Sequence, residues 1–372
     1  MNGLNMNVTV ARNDVTVDVV DAHARAEVFK WIHDELIVTI DQPKYFVLVF
    51  LYGISFLTGL IGNSLVIFTF VTSRRMRTTP NFFMVNLAVC DLMVVCFNMP
   101  FMAAMAAYND WVYGAVWCKL TNVMQGVAVI SSIFTLTVIS RERFFAVRKP
   151  MKARSNLTQA RAIKLIAGIY LLSGVIALPL VFTSRKKTHN IEGFVWSDCR
   201  EVWPSQSWHV AYSIFILVTI YIAPVSVILY GYCRIKSLLL QRDASLYDGP
   251  VCPLGRRATN SEVRYSNSRR KLAKLLVLLA SLFALSWLPY QLVVVIKDLF
   301  GQSLKEKNPD LMADLYNYAL WIGLTNSSLN PICYLVISSK LRQELRQSVV
   351  RCCCHGHHSL RQQQSITLMS NI

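Results

Sequence analysis

Charged residues are scarce in this chain. They make up 16% of its 372 residues, whereas hydrophobic residues make up 54%, and a typical soluble domain has about 25% charged residues. So few charges cannot cover the surface of an ordinary soluble protein. The formal net charge of +17 would suit a nucleic-acid partner, but a soluble protein of that class would be less apolar, so none is expected. The composition indicates a membrane protein with basic loops on one side.

Charge is missing altogether from several long stretches. Uncharged runs cover Tyr45–Ser73, Leu120–Ser140, Leu165–Ser184, Val210–Cys233, Leu275–Ile296 and Leu315–Ser339, and a further run, Thr78–Asn109, contains only Asp91. Each is long enough for a membrane-spanning helix, which needs about 20 mostly apolar residues. None shows the sustained alternation of barrel strands. The sequence therefore predicts an all-α membrane protein: a seven-transmembrane helix bundle with a short amphipathic juxtamembrane eighth helix.

The position of these runs predicts the domain organisation. Residues 1–44 form an N-terminal tail, residues 45–339 the membrane domain, and residues 340–372 a tail that begins with the eighth helix. The spans are expected at about 45–73, 78–107, 118–141, 164–184, 209–234, 272–297 and 313–337. Residues 1–44 contain acids and no apolar signal-peptide core, so the first span is expected to act as its own insertion signal.

Basic residues are concentrated on one side of the predicted bundle. Lys and Arg cluster in the segments 74–77, 141–164, 234–274 and 340–351, while Arg185, Lys186 and Lys187 are a local exception. The positive-inside rule places these clusters in the cytosol and the N-terminus outside, in a multi-pass protein of the cell membrane. Asn7 begins a glycosylation sequon in the outer tail, which agrees with this orientation.

The cysteines differ by predicted compartment. Cys118 and Cys199 are the two that fall on the outer side, where an oxidising environment favours a disulfide over two separate thiols. Such a bridge would hold the loop 185–209 over the mouth of the bundle. Cys352, Cys353 and Cys354 follow the segment "SKLRQELRQSVVR", which presents Leu341, Leu345 and Val349 on one helical face. Juxtamembrane cysteines in that place predict palmitoylation; metal binding with His355, His357 and His358 is the weaker alternative.

Asp91 is the only acidic residue within the long uncharged runs described above. A carboxylate in hydrocarbon needs a partner, a proton or a cation. Ser132 in the third span and Asn326 and Asn330 in the seventh supply oxygen ligands that could complete a small monovalent-cation site with water. A protonated Asp91 that only forms hydrogen bonds is the other interpretation, and the residues alone leave both open.

A set of motifs in a fixed order resembles the rhodopsin-like (class A) G-protein-coupled receptors over residues 45–355. The motifs are "GNSLV" (62–66), "NLAVCDL" (86–92), Cys118, Glu142-Arg143-Phe144, Pro224 with Tyr232, "FALSWLP" (283–289) and "NPICY" (330–334). Tyr170 departs from the family, which usually has Trp in the fourth span. The resemblance implies a receptor rather than an enzyme, with heterotrimeric G proteins of the Gq or Gi class, arrestin, receptor kinases and membrane lipids as partners.

The resemblance also implies roles for individual residues. Arg143 pairs with Glu142 in the resting state and is released towards Tyr232 and the G protein in the active state. Asn330, Pro331 and Tyr334 belong to the same switch. Asp91, Ser132, Asn326 and Asn330 match the family's allosteric sodium site, and no other cofactor or metal is expected.

The residues that replace the ligand anchors of other subfamilies favour a peptide ligand. Gln125 occupies the place where amine receptors carry Asp, and residues 315–339 contain no Lys for retinal. A glutamine at this position resembles the receptors of the RFamide, neuropeptide Y and orexin group. The Gln125 side chain suits a neutral C-terminal carboxamide. Asp298 and Glu201 resemble the acids that pair with the ligand arginine in RFamide receptors, including those for pyroglutamylated RFamide peptides (QRFP), and Trp287 and Tyr290 are further expected peptide contacts.

Other classes and ligands remain as alternatives. Another amidated peptide, of the neuropeptide FF, neuropeptide Y, orexin or cholecystokinin type, would fit the same residues. A transporter would show related halves or interrupted paired helices, and the sequence shows no repeat. A membrane enzyme would need clustered catalytic groups in the apolar runs, which contain Asp91 alone among acids.

Overall fold

A computed structural model of the chain describes residues 7–11, 14–18, 42–148, 158–191, 194–247, 260–307 and 309–351. Within that part of the chain, seven helical segments are long and apolar enough to cross a membrane: Pro43–Thr72, Thr79–Tyr108, Gly114–Phe145, Gln159–Thr183, Gln206–Ile235, Val277–Leu299 and Leu311–Ile337. The predicted seven-span helical bundle is therefore confirmed. Most of the N-terminal tail and the predicted palmitoylation sites Cys352, Cys353 and Cys354 lie outside the described residues.

Nine α-helices lie in the described part of the chain up to residue 337. In chain order they are α1 Pro43–Thr72, α2 Thr79–Phe97, α3 Met99–Tyr108, α4 Gly114–Arg148, α5 Gln159–Thr183, α6 Gln206–Ile216, α7 Ala223–Tyr247, α8 Asn260–Lys307 and α9 Pro309–Ile337. The second span consists of α2 and α3, and the fifth of α6 and α7 with the π-helical stretch Leu217–Ile222 between them. The remaining spans, first, third, fourth, sixth and seventh, are α1, α4, α5, α8 and α9.

Local sequence explains where several helices begin. Proline occupies one of the first two positions of α1, α2 and α3, where its missing N–H removes no helical hydrogen bond. Thr158 caps α5 by accepting a hydrogen bond from the Arg161 amide at 3.3 Å. Ser205 caps α6 by accepting one from the Trp208 amide at 3.4 Å. Each cap satisfies an N–H that would otherwise lack a partner.

Two β-hairpins depart from the all-helical expectation. Strands β1 Asn7–Ala11 and β2 Asp14–Asp18 pair in the N-terminal tail, and β3 Ser184–Ile191 and β4 Phe194–Glu201 pair between the fourth and fifth spans. The second segment was expected to be a loop, since β3 is mostly polar and the apolar residues at the start of β4 are consecutive rather than alternating. Cross-strand pairs hold it instead: Thr188 bonds Ser197 at 3.2 Å, and the His189 ring stacks on Trp196 with centroids 5.1 Å apart.

The first and seventh spans form an extensive direct contact. A Cβ at Gly62 would lie 2.6 Å from Cγ of Pro331, so the proline ring packs against the backbone of the first span where only glycine leaves room. Asn63 donates from Nδ2 to the Ser327 carbonyl at 3.0 Å, and Ser328 donates to the Ser55 carbonyl at 2.6 Å. Small residues and interhelical hydrogen bonds of this kind drive helix association in lipid, where apolar burial contributes little.

The same two spans are joined where the first span begins. Lys44 Nζ lies 2.9 Å from Asp314 Oδ2, and Tyr45 donates to the other oxygen of that carboxylate at 3.0 Å. Tyr318 donates to the Lys44 carbonyl. Charge-assisted hydrogen bonds are among the stronger polar contacts, so the first and seventh spans are joined at this end as well as at mid-length.

A helical stretch at 339–351 follows the seventh span after a break at Ser338. Leu341, Glu344 and Ser348 are buried, whereas Val349, which shares the predicted apolar face with Leu341, is 42% exposed. Polar contacts determine the difference: Glu344 accepts a hydrogen bond from Ser73 at 2.7 Å, and Ser348 accepts one from Thr72, at the end of the first span, at 3.0 Å.

Candidate functional site

The predicted disulfide is present and fixes one end of the bundle, called here the disulfide end. Cys118 in the first turns of α4 is bonded to Cys199 of β4, with their Cα atoms 5.5 Å apart. The hairpin is held further by Ser197, whose amide donates to Asp110 at 2.8 Å and whose carbonyl accepts from the Trp111 amide at 2.7 Å. The β3–β4 hairpin is therefore held against the third span.

A cavity of about 300 Å³ opens beneath this hairpin. Gln125, Glu201, Trp287 and Tyr290 line it together, as the sequence analysis expected, but Asp298 is not among its lining residues. Among the described residues the lining includes no lysine, arginine or histidine. The cavity therefore suits a ligand group that is neutral or positively charged.

Gln125 is oriented by a residue that the sequence analysis missed. Its Oε1 accepts a hydrogen bond from Asn98 Nδ2 at 2.6 Å. Asn98 is 1% exposed and lies at the break between α2 and α3. In the described part of the chain no group accepts a hydrogen bond from Gln125 Nε2, so the side chain offers a donor to the cavity. A polar residue within an apolar span is expensive in lipid. That cost is the signal by which Asn98 could have been found in the sequence.

Trp287 packs more closely than its motif indicated, because Gly323 faces it. The indole is 5% exposed, and a Cβ at Gly323 would lie 2.9 Å from its Cε3. Tyr290 meets the indole edge-on with centroids 5.7 Å apart, and Phe283 lies on the same helix at 6.4 Å. The seventh span therefore limits the positions available to the Trp287 side chain, which contacts both the cavity and Phe283.

The two acids expected near the ligand arginine occupy different environments. Glu201 is exposed and accepts a hydrogen bond from Trp203 Nε1 at 2.7 Å. Asp298 lies on α8, which continues past it to Lys307, so it belongs to a helix rather than to a loop. Its side chain is 4% exposed, and His209 Nδ1 lies 3.2 Å from Oδ1. Its other oxygen, Oδ2, is buried without a hydrogen-bond partner.

Asp91 lies in the middle of the bundle with its carboxylate only half satisfied. Asn330 donates to Oδ2 at 2.9 Å, whereas Oδ1 is buried and accepts no hydrogen bond. The Oδ1 of Asn326 is also buried without a partner, and Ser132 is 6% exposed. A carboxylate, a carboxamide and a hydroxyl are the oxygen ligands that hard cations prefer. These residues therefore fit a small cation as ligands.

A second cavity, of about 390 Å³, lies at the opposite end, called here the Arg143 end. Arg143 and Tyr334 both line it, together with apolar residues such as Ile139 and Leu275. The neighbouring basic residues point elsewhere, since Arg141 lies over the Phe145 ring at 5.7 Å and Arg148 over Phe144 at 6.0 Å. Arg143 therefore borders the cavity, whereas Arg141 and Arg148 do not.

The remaining predicted switch residues are placed as follows. Glu142 and Tyr232 are half-buried, and neither lines the Arg143-end cavity. Pro331 lies against Gly62 of the first span. Tyr334 is 1% exposed, and its hydroxyl is buried without a hydrogen-bond partner. The resting pair between Glu142 and Arg143 stays a prediction.

Comparison with known proteins agrees with this arrangement. The sequence profile of the 7 transmembrane receptor (rhodopsin family) matches residues 62–334. A QRFP-like peptide receptor from Branchiostoma floridae is 33% identical over 81% of this chain and 76% of its own length. Neuropeptide FF receptor 2 from Rattus norvegicus is 30% identical over 87% of this chain and 75% of its own. The substance-K receptor from Bos taurus is 29% identical over 80% of this chain and 73% of its own.

Proposed function

Since the chain belongs to the rhodopsin family of seven-transmembrane receptors, we propose that it binds an amidated RFamide-type neuropeptide, similar to QRFP, and signals through heterotrimeric G proteins. It is a receptor of the cell membrane and not an enzyme. One observation carries the ligand proposal: the disulfide-end cavity offers the Gln125 donor and the Glu201 carboxylate, without a described cation in its lining. Such a cavity suits a peptide with a neutral amide terminus and a positively charged residue.

The disulfide end is the extracellular end in this proposal. Disulfides persist in oxidising compartments, and the Cys118–Cys199 bridge lies beside the cavity. The Arg143 end is then cytosolic, in agreement with the basic residues that flank Arg143. Asn7 would carry its glycan outside, and Cys352, Cys353 and Cys354 would be acylated inside the cell. The Arg143-end cavity is then the binding site for the G protein, with arrestin and receptor kinases as later partners.

The relatives support the RFamide assignment and leave a second candidate. A QRFP-like peptide receptor and a neuropeptide FF receptor are among the proteins that match. A substance-K receptor matches with comparable identity. A receptor for another amidated neuropeptide, without an arginine before the last residue, is therefore the alternative.

A peptide panel tests the ligand class. Cells that express the chain with Gq and Gi reporters receive synthetic peptides that end in Arg-Phe-amide, Ala-Phe-amide or Leu-Met-amide, of which only the first carries arginine before the last residue. We expect the Arg-Phe-amide peptides to activate at least one reporter most potently, because Glu201 and Asp298 favour the arginine. Cells without the receptor are the control. Stronger activation by Leu-Met-amide peptides would contradict the RFamide assignment and favour the alternative, a receptor for an amidated neuropeptide without that arginine.

Sodium binding at Asp91 is the second part of the proposal. Asp91 Oδ1, Asn326 Oδ1 and the Ser132 hydroxyl would hold the ion, which supplies a positive charge to the half-satisfied carboxylate. Sodium would favour the inactive state if that state binds it better. These oxygens belong to the second, third and seventh spans, so the ion would join helices whose relative positions distinguish the two states.

Replacement of Asp91 by asparagine tests this site. Asp91→Asn keeps the shape and removes the charge, so we expect sodium to lose its effect on agonist affinity. Competition binding is measured in sodium chloride and in N-methylglucamine chloride at equal ionic strength. In the unmodified receptor sodium should lower agonist affinity about 3- to 10-fold, a coupling of about 1 kcal/mol. An equal sodium effect in both proteins would exclude Asp91 as the ligand.

A further inference from the structure

Asn98 lies at the point where the second span changes from α2 to α3. It follows the last residue of α2 and precedes the first residue of α3, and its backbone angles, φ −128° and ψ −55°, are not helical. Its amide donates to the Val94 carbonyl at 3.0 Å, and its carbonyl accepts from the Met102 amide at 3.0 Å. Hydrogen bonds to both helices therefore fix the position of its backbone.

The Asn98 side chain does not cap α3, although asparagine is among the residues preferred before a helix. A capping side chain accepts from the amide of the second or third helical residue, and the second residue here is Pro100, which has no N–H. The side chain reaches the third span instead and donates from Nδ2 to Gln125 Oε1 at 2.6 Å. Within the described residues, this is the hydrogen bond that the Asn98 side chain makes.

The hydrogen bond from Asn98 determines which end of the Gln125 carboxamide is free. A glutamine side chain has one carbonyl oxygen and one NH2 group, and the terminal torsion that exchanges them is broad and roughly two-fold. Because Asn98 donates to Oε1, rotation of Gln125 alone would set one NH2 group against another. Asn98 therefore holds the oxygen of Gln125 towards the second span and leaves its NH2 group free.

The burial of Asn98 disfavours the reverse arrangement, in which it would accept from Gln125. Asn98 is 1% exposed, and its Oδ1 is buried without a hydrogen-bond partner. The reverse arrangement would place the Asn98 NH2 group at that position. A buried N–H group without an acceptor is rarer in proteins than a buried carbonyl without a donor, so the observed arrangement is the more favourable one.

Gln125 contacts the disulfide-end cavity directly, whereas Asn98 does not. Gln125 is half-buried and is one of the residues that line the cavity, and Asn98 is not among them. A ligand in the cavity therefore meets Gln125 alone. Side chains that become ordered on binding reduce affinity, and Asn98 orders Gln125 before any ligand arrives.

We propose that Asn98 is a positioning residue of the ligand site, which holds the Gln125 NH2 group ready to donate to the carbonyl oxygen of the peptide's terminal carboxamide. The proposal rests on the proposed function, which supplies the amidated terminus. Asn98 acts through Gln125 and not by contact with the peptide. Its removal should therefore matter for a peptide that has the terminal carboxamide and not for one that lacks it.

The experiment removes the Asn98 carboxamide and retains the helix start. Asn98→Ser keeps a residue type preferred before a helix, but the serine side chain is too short to reach Gln125. Asn98→Ala is the second variant. Asn122→Ala is the matched control, because Asn122 also lines the cavity but donates to the Ser184 hydroxyl, at 3.0 Å. Surface expression is measured for each variant.

The probes are a peptide that ends in Arg-Phe-amide and an analogue that ends in phenethylamine, which keeps the aromatic ring without the terminal carboxamide. We expect Asn98→Ser to lower the potency of the amide about 5- to 10-fold and that of the analogue less than about 2-fold. In a Gln125→Ala background Asn98→Ser should cause no further loss, because the two residues act in series. Asn122→Ala should leave the ratio of the two potencies unchanged.

The outcomes that overturn the inference are distinguishable from failure of the proposed function. If the Arg-Phe-amide peptide does not activate the unmodified receptor, the proposed function fails, and the inference fails with it. If that peptide is active but Asn98→Ser lowers the potency of both probes equally, Asn98 is only structural and the inference alone falls. A loss that persists in the Gln125→Ala background leads to the same conclusion. Asn98→Ala gives the same comparisons should Asn98→Ser not reach the cell surface.

Discussion

Replacement of Arg143 by alanine is expected to reduce agonist-stimulated nucleotide exchange at least about 10-fold while peptide binding remains measurable. Arg143 is half-buried and lines the Arg143-end cavity, more than a span's length along α4 from Cys118. A change there removes a cationic contact for the G protein and leaves the peptide cavity intact. The measurement is guanine-nucleotide exchange on purified G protein, with agonist binding measured in the same membranes.

The neighbouring arginines supply matched controls for this change. Arg141 and Arg148 lie over Phe145 and Phe144 rather than in the cavity lining. Arg141→Ala and Arg148→Ala remove the same charge from the same helix, and we expect less than about 3-fold loss of exchange from either. Equal losses in all the arginine variants would show that general positive charge, and not the position of Arg143, supports coupling.

The companion change acts in the opposite direction. If Glu142 pairs with Arg143 in the resting state alone, as predicted, Glu142→Gln should raise agonist-free exchange, because the resting state would lose that interaction. A half-buried pair is worth about 1 kcal/mol, which corresponds to about a 5-fold change in the ratio of active to inactive receptor. Unchanged basal exchange in Glu142→Gln would remove the switch role assigned to this pair.

Conversion of the peptide's C-terminal amide to a free acid is expected to lower potency at least about 100-fold, or about 2.7 kcal/mol. The free acid would bring a negative charge into a partly desolvated cavity whose described lining contains Glu201 and no cation. Burial of an unpaired charge is strongly unfavourable. The amide avoids this, and its carbonyl oxygen can accept the hydrogen bond that Gln125 Nε2 offers.

Gln125 is tested by its effect on this comparison. Gln125→Ala should lower potency for the amide about 10-fold and for the free acid about as much or less, since charge repulsion dominates the acid. Gln291 also lines the cavity from the sixth span and serves as a matched glutamine. Gln291→Ala should leave the ratio of amide to acid potency unchanged. An amide and an acid of equal potency on the unmodified receptor would refute the assigned mode of binding.

The sequence was most informative where a property depends on local composition. Apolar length predicted the seven spans, and the compartment argument predicted the pairing of Cys118 with Cys199. Gln125 and Trp287 were expected at one cavity because family spacing marked the first and a family motif the second. These features can be predicted without knowing which residues distant in sequence contact each other.

Contacts between distant polar residues could not be predicted in the same way. The pairing of Asn98 with Gln125 depends on the break in the second span, and that of His209 with Asp298 on how far α8 continues. In the β3–β4 hairpin, β3 is mostly polar and the apolar residues of β4 are consecutive, so neither segment shows the alternation that indicates a strand. In the stretch 339–351, hydrogen bonds to Thr72 and Ser73 accompany the burial of Ser348 and Glu344, which the apolar pattern alone did not predict.

The first and seventh spans are fastened near Lys44 and Asp314, through Asn63 and Ser328, and by the close approach of Gly62 to Pro331. Helices joined at separate heights cannot tilt independently. They therefore give the receptor an internal frame of reference, against which any displacement of the sixth span can be measured. A spectroscopic distance from this frame to α8 reports movement of one helix, whereas a distance between two mobile helices reports only their difference.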